Sequence, residues 1–171
     1  TARSMITLAT WNVHRCIGRD GRYAPRRIRE VLRSLDADVL ALQEVELFRN
    51  DPELLEFLCE GSDWQALAGI TLERTSGRYG NALLTRLPVL RLERIDLSRP
   101  GREPRGALQA TLGLRQRTLG LVATHLGLRG QERRWQADRL LELLRREPDV
   151  WNGRAPGILA LVGDLNEWMP G

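Results

Sequence analysis

Lysine is missing altogether: every one of the 26 basic residues is arginine, against 22 acids, for a net charge of +4 and an isoelectric point near 10.0. Guanidinium does not titrate in the accessible range, which is what carries the isoelectric point so high. Cysteine is nearly missing too. Cys16 and Cys59 are too few for a disulfide framework and lack metal-type spacing, which fits a reducing compartment such as the cytoplasm. No apolar run approaches the ~18–20 residues of a bilayer-spanning helix. Thr1 to Leu8 lacks the charged start and long apolar stretch of a signal peptide. No basic stretch interleaved with aromatics announces a nucleic-acid groove. No serine sits beside a histidine in an elbow, and neither cysteine lies near His125, which argues against nucleophilic catalysis by the protein itself.

What is present is an ordinary globular composition, 42% apolar and 28% charged over 171 residues, enough for one domain with a sizeable core. Charge is uneven. Up to Thr85 there are 11 arginines and 12 acids, and beyond it 15 arginines and 10 acids. A basic second half suits an anionic partner such as phosphate, nucleic acid or a membrane surface.

Ile6 to Val13 alternates like a strand, and Pro25 suits the first position of a helix with Ile28, Val31, Leu32 and Leu35 on one face. Val39 to Leu42 is a short apolar run of the buried-strand type, which makes the first unit β-α-β. Asp51-Pro52 predicts the start of a second helix, closed by Gly61, and Trp64 to Ala68 a strand. Thr71 to Gly80, polar and holding two glycines, predicts a surface loop. Asn81 to Thr85, Val89 to Leu97 and Gly106 to Leu114 read as strands, and 112–114 with 119–122 as a hairpin. A helix is predicted over Gln131 to Arg146, with Ala137, Leu140, Leu141 and Leu144 on one face. Pro148 to Gly157 reads as a loop and Ile158 to Val162 as a strand, so the second half also ends in β-α-β.

In each unit the apolar strands hand over to polar residues at their carboxyl ends: Asn12, Gln43-Glu44, His125, and Asp164-Leu165-Asn166. A right-handed crossover brings both strand ends of a unit to one edge, where open α/β sheets place ligands. The carboxylates of Glu44 and Asp164, the carboxamides of Asn12 and Asn166 and the imidazole of His125 in one cleft suit a hard cation and metal-assisted attack of water on a phosphoester. Taken singly, each residue has an ordinary explanation. Asn12 caps a turn, Glu44 is a solvated carboxylate, His125 is half-buried, and Asp164 to Asn166 is a turn. His14 reads as structural or peripheral. Order and spacing together carry the signal.

The segments TWNVH, LALQEVE, ATHL and VGDLNEW, in that order, with YGNALLTRLPV between the second and third, resemble the endonuclease/exonuclease/phosphatase family, the relatives of deoxyribonuclease I. The resemblance runs from Ile6 to Trp168 and implies an α/β four-layer sandwich, two mixed β-sheets face to face flanked by helices. It implies a metal-dependent hydrolase of phosphoester bonds, of phosphodiesterase or nuclease type, using water activated by Mg²⁺ or Mn²⁺. Glu44 would be the principal metal ligand, with Asn12 beside it holding water or phosphate. His125 would donate to a phosphate oxygen, Asp164 would orient or activate the attacking water, and Asn166 would hydrogen-bond the phosphate.

The family pattern ends in a Ser-Asp-His motif, whereas this sequence has only His14 and His125. On that comparison residues 1–171 read as a single domain of the family truncated after the GDLN motif, weakly active or inactive alone. A second class of function fits the same cleft: a non-catalytic module that binds phosphate or nucleic acid. Retention of Asn12, Glu44, His125, Asp164 and Asn166 together favours the enzyme.

Overall fold

The computed structural model describes residues 5–51, 53–115, 117–145 and 157–167. The chain divides into two compact units, Thr1–Leu87 and Pro88–Gly171. The first holds strand β1 (Leu8–Asn12), a 3₁₀ turn (His14–Cys16), helix α1 (Pro25–Leu35), β2 (Val39–Phe48), α2 (Leu54–Cys59), β3 (Gln65–Arg74) and β4 (Gly77–Thr85). The second holds β5 (Val89–Asp96), β6 (Gly106–Leu114), β7 (Arg117–His125), α3 (Gly130–Arg145) and β8 (Ile158–Asp164). Each unit has one mixed four-stranded sheet, ordered β1-β2-β4-β3 and β5-β6-β7-β8. β1 and β2 pair parallel, as do β7 and β8, while the other neighbours are antiparallel. Both expected β-α-β crossovers are therefore present.

α1 begins where Pro25 fixes the first turn and ends where Asp36 turns left-handed at φ 43°. Only Ile28 and Leu32 of its expected apolar face are buried, among Leu40, Leu42, Leu54, Leu58 and Leu84. Val31 and Leu35 stay exposed, because an i, i+4 stripe is all that the helix lays on the core. In α3 the buried positions are Glu132, Gln136 and Leu140, with Leu144 packed beside them and Leu141 exposed. A buried polar side chain is tolerated there because the Gln136 amide is used at both ends. Its Oε1 accepts from Gly127 N–H at 2.8 Å, and its Nε2 donates to Leu97 C=O at 3.0 Å.

Three expectations need correction. Thr71 to Gly80 is a hairpin, in which β3 runs to Arg74, turns, and returns as β4 from Gly77. Polar residues suit it because β3 is an edge strand, and Glu73 faces Arg78 across the ladder. β2 does not end at Leu42 but continues to Phe48 past a bulge. α2 starts at Leu54, with Glu53 as its cap and Glu60 rather than Gly61 closing it. Pro52, Arg146 and the predicted loop over 148–156 lie outside the described residues. Among the described residues no helix is long and apolar enough to cross a membrane.

Candidate functional site

The first cluster forms where β1 ends beside the middle of β2. Asn12 is the registered partner of Gln43, and Val13 N–H donates to Gln43 C=O at 3.0 Å. Gln43 itself is buried and spent on the sheet: Thr10 Oγ1 donates to its Oε1 at 3.3 Å, and its Nε2 donates to Ala41 C=O at 3.1 Å. The pairing of β2 with β4 then slips, from Leu42 opposite Ala82 to Val45 opposite Gly80, so Gln43 and Glu44 together oppose Asn81. A bulge of this kind re-aims a side chain. Glu44 takes a left-handed φ of 54°, and its carboxylate comes to Asn12, whose Nδ2 donates to Oε1 at 2.7 Å.

The chain leaving Asn12 is also left-handed, with φ of 46°, 56° and 59° at His14, Arg15 and Cys16. Each such non-glycine residue costs roughly 1–2 kcal/mol, and strain of this kind gathers at functional sites. Here it turns the chain so that His14 N–H donates to Asn12 Oδ1 at 3.1 Å and the His14 ring puts Nδ1 3.3 Å from Glu44 Oε2. His14 is thus part of the cluster rather than peripheral to it. Its position two residues after Asn12 is the signal that could have found it, but the left-handed turn that realises the contact is not written in WNVH.

The second cluster forms in the same way on β7 and β8. His125 and Asp164 are registered partners in a parallel pair, so both side chains stand on one face of the sheet. Nε2 of His125 lies 3.8 Å from Asp164 Oδ2. Asp164 Oδ1 accepts from Asn166 N–H at 3.0 Å, while its backbone C=O accepts from Leu126 N–H at 2.9 Å. Asn166, left-handed at φ 53° and buried, donates through Nδ2 to Leu126 C=O at 2.7 Å. Part of the amide expected on phosphate thus ties the β8 turn to the end of β7. Gly163 lets the strands come this close: at its φ of 143°, a Cβ would sit 1.8 Å from Thr124 C=O.

Arg105 also belongs to this cluster, with Nη1 3.2 Å from His125 Nδ1. Nothing in GREPRG distinguishes it from Arg99 or Arg102, and the segment reads only as a connection. The sequence-derived candidates thus fall into two sets, Asn12 with Glu44 in the first unit and His125, Asp164 and Asn166 in the second.

The chemistry of both sets is that of hard oxygen and nitrogen donors. Both thiols are held protonated: burial, reinforced by the Asp51 charge, pushes Cys16 up to about 12, and burial with Glu56 pushes Cys59 up to about 11. Among the described residues no three His, Cys, Asp or Glu side chains gather into a ready-made metal cage.

The chain is 29% identical over 182 aligned positions to the uncharacterized protein YbhP of Escherichia coli (strain K12), a match covering 98% of the chain and 69% of YbhP. It is similar to the crystal structure of an endonuclease/exonuclease/phosphatase from Beutenbergia cavernae, with TM-score 0.75 and 24% identity, covering 95% of this chain and 48% of that one. It is also similar to D. rerio TDP2 complexed with single-strand DNA product, with TM-score 0.73 and 21% identity, covering 96% of this chain and 62% of that one. The chain therefore spans about half the length of the Beutenbergia protein. These likenesses carry the fold, the α/β sandwich class expected from the sequence. The sequence profile of the Endonuclease/Exonuclease/phosphatase family matches residues 9–170. The chain belongs to the endonuclease/exonuclease/phosphatase family.

Proposed function

We propose that the protein is a divalent-cation-dependent hydrolase of phosphoesters, of the phosphodiesterase or nuclease type. The observation that carries this is the Asn12–Glu44 pair, 2.7 Å apart on a left-handed bulge. A carboxylate held there at backbone cost, with its side chain still 22% exposed, fits a cation that needs one or two carboxylates and keeps several waters. The residues that would hold Mg²⁺ or Mn²⁺ are Glu44 and, beside it, Asn12. When bound, such a cation supplies positive charge against phosphoryl oxygens and makes water easier to deprotonate.

The remaining roles fall to the second cluster. His125 donates to a phosphate oxygen, where negative charge grows as the ester bond breaks. Asp164 accepts a hydrogen bond from the attacking water and orients it. Asn166 adds a donor to phosphate. The substrate is a phosphoester, with nucleic acid supported by the DNA product held by the similar D. rerio TDP2 and by the arginine-rich second half.

The test is hydrolysis of bis(p-nitrophenyl) phosphate by the whole protein with Mn²⁺, with Mg²⁺ and with chelator. Cation-dependent turnover is expected. Phosphate binding without turnover would establish the non-catalytic module instead. Within this reading, Asn166→Ala is expected to leave Mn²⁺ binding unchanged and to weaken orthophosphate binding ~10–100-fold, the worth of a hydrogen bond to a charged group. Sequential titration with Mn²⁺ and then phosphate, at a temperature where the variant is folded, checks it. Weakened Mn²⁺ binding would move Asn166 to the metal.

A further inference from the structure

Arg105 lies immediately before β6 and is 93% buried, an unusual place for a guanidinium. Its backbone already fastens the segment: its C=O accepts from Leu97 N–H at 2.9 Å, and its N–H donates to Ser98 Oγ at 3.2 Å. The side chain is not needed for that. Nη1 reaches Glu103 Oε1 at 3.1 Å and His125 Nδ1 at 3.2 Å, while Nε is buried with no hydrogen-bond acceptor. A donor left unsatisfied in the interior is a cost, so the placement is sustained by what the other nitrogens do.

Arginine offers only donors and keeps its charge at every accessible pH. An N–H aimed at His125 Nδ1 therefore requires a lone pair on that nitrogen. A neutral imidazole with its lone pair on Nδ1 carries its proton on Nε2. Nε2 is the nitrogen on the Asp164 side, 3.8 Å from Oδ2.

We propose that Arg105 is a positioning residue of the second cluster, holding His125 in the Nε2–H form so that a hydrogen-bond donor is always turned toward Asp164 and the phosphate. Glu103, on the same Nη1, balances the charge of the guanidinium. The consequence for turnover rests on the proposed function; the tautomer does not.

The tautomer is read by ¹⁵N NMR of the histidine-labelled chain, using the two-bond ¹H–¹⁵N correlations of the rings. The sequence has two histidines, so His14→Gln assigns the spectrum. Wild type is expected to show His125 in the single Nε2–H form. Arg105→Met, which keeps the unbranched stem and loses every donor, is expected to admit the second tautomer, and Arg105→Lys to restore the first. A wild-type His125 that is Nδ1–H, doubly protonated or mixed overturns the proposal, and that outcome counts even if Arg105→Met does not fold. With bis(p-nitrophenyl) phosphate, Arg105→Met is expected to lower kcat ~10–100-fold with little change in KM, the usual cost of losing a supporting hydrogen bond. Unchanged kcat alongside an altered tautomer would overturn the positioning role. No turnover in wild type would sink the hydrolase reading and leave the tautomer result standing.

Discussion

Glu44→Gln is expected to abolish tight Mn²⁺ binding and turnover together while leaving the fold intact. The charge removed is the carboxylate that accepts from Asn12, leaving the neutral Asn12 amide and His14 beside it. Supporting groups around a metal are worth ~10–100-fold in affinity. A ligand should exceed that, so a fall of at least ~100-fold is expected. The fold should survive because the swap is isosteric and glutamine Oε1 still accepts from Asn12 Nδ2. The left-handed backbone at residue 44 costs either side chain the same. Calorimetric titration with Mn²⁺ and a thermal melt decide the matter. Unchanged affinity would return Glu44 to a solvated carboxylate and leave the strained bulge without a functional reason.

Gly163→Ala is expected to be the most destabilising single methyl in the second unit. At φ 143° a Cβ would stand 1.8 Å from Thr124 C=O, and that oxygen belongs to the backbone of β7. It cannot swing away as a side chain would. Backbone strain of ~1–3 kcal/mol adds to an overpacking cost of similar size, so a loss of ~3 kcal/mol or more is expected. Thr124 with Gly163 is the pair next to His125 with Asp164, so strands forced apart there also separate the imidazole from the carboxylate. Urea unfolding gives the stability, and turnover at low temperature gives the second effect. A midpoint like wild type would mean that the strands have room.

Both β-α-β units are legible because their signal is local: apolar strands, a helical face after Pro25, and polar residues where the strands end. The two clusters follow from the same handover. The rest depends on pairing, which a single segment does not reveal. The bulge at Glu44 exists only because β2 meets β4 with two residues against one. Thr71 to Gly80 looks like a loop until β4 supplies its partner. Arg105 lies in a Gly- and Pro-rich segment that does not announce its contact with His125, 20 residues on. His14 meets Glu44 from the start of a run of three left-handed residues.

The strand orders also distribute mobility. Among the described residues β2 and β7 are flanked on both sides, while β1 and β8 are hydrogen-bonded on one side only. Each cluster therefore takes one member from an inner strand, Glu44 or His125, and one from an edge strand, Asn12 or Asp164. Edge segments open at lower free energy than a strand laddered on both sides, a difference that amide exchange along the four strands would register. On the proposed function, the charge that would anchor the cation and the donor that would face phosphate are thus held on the inner strands. Asn12 and Asp164 ride on edge strands, which can open without unfolding the sheet.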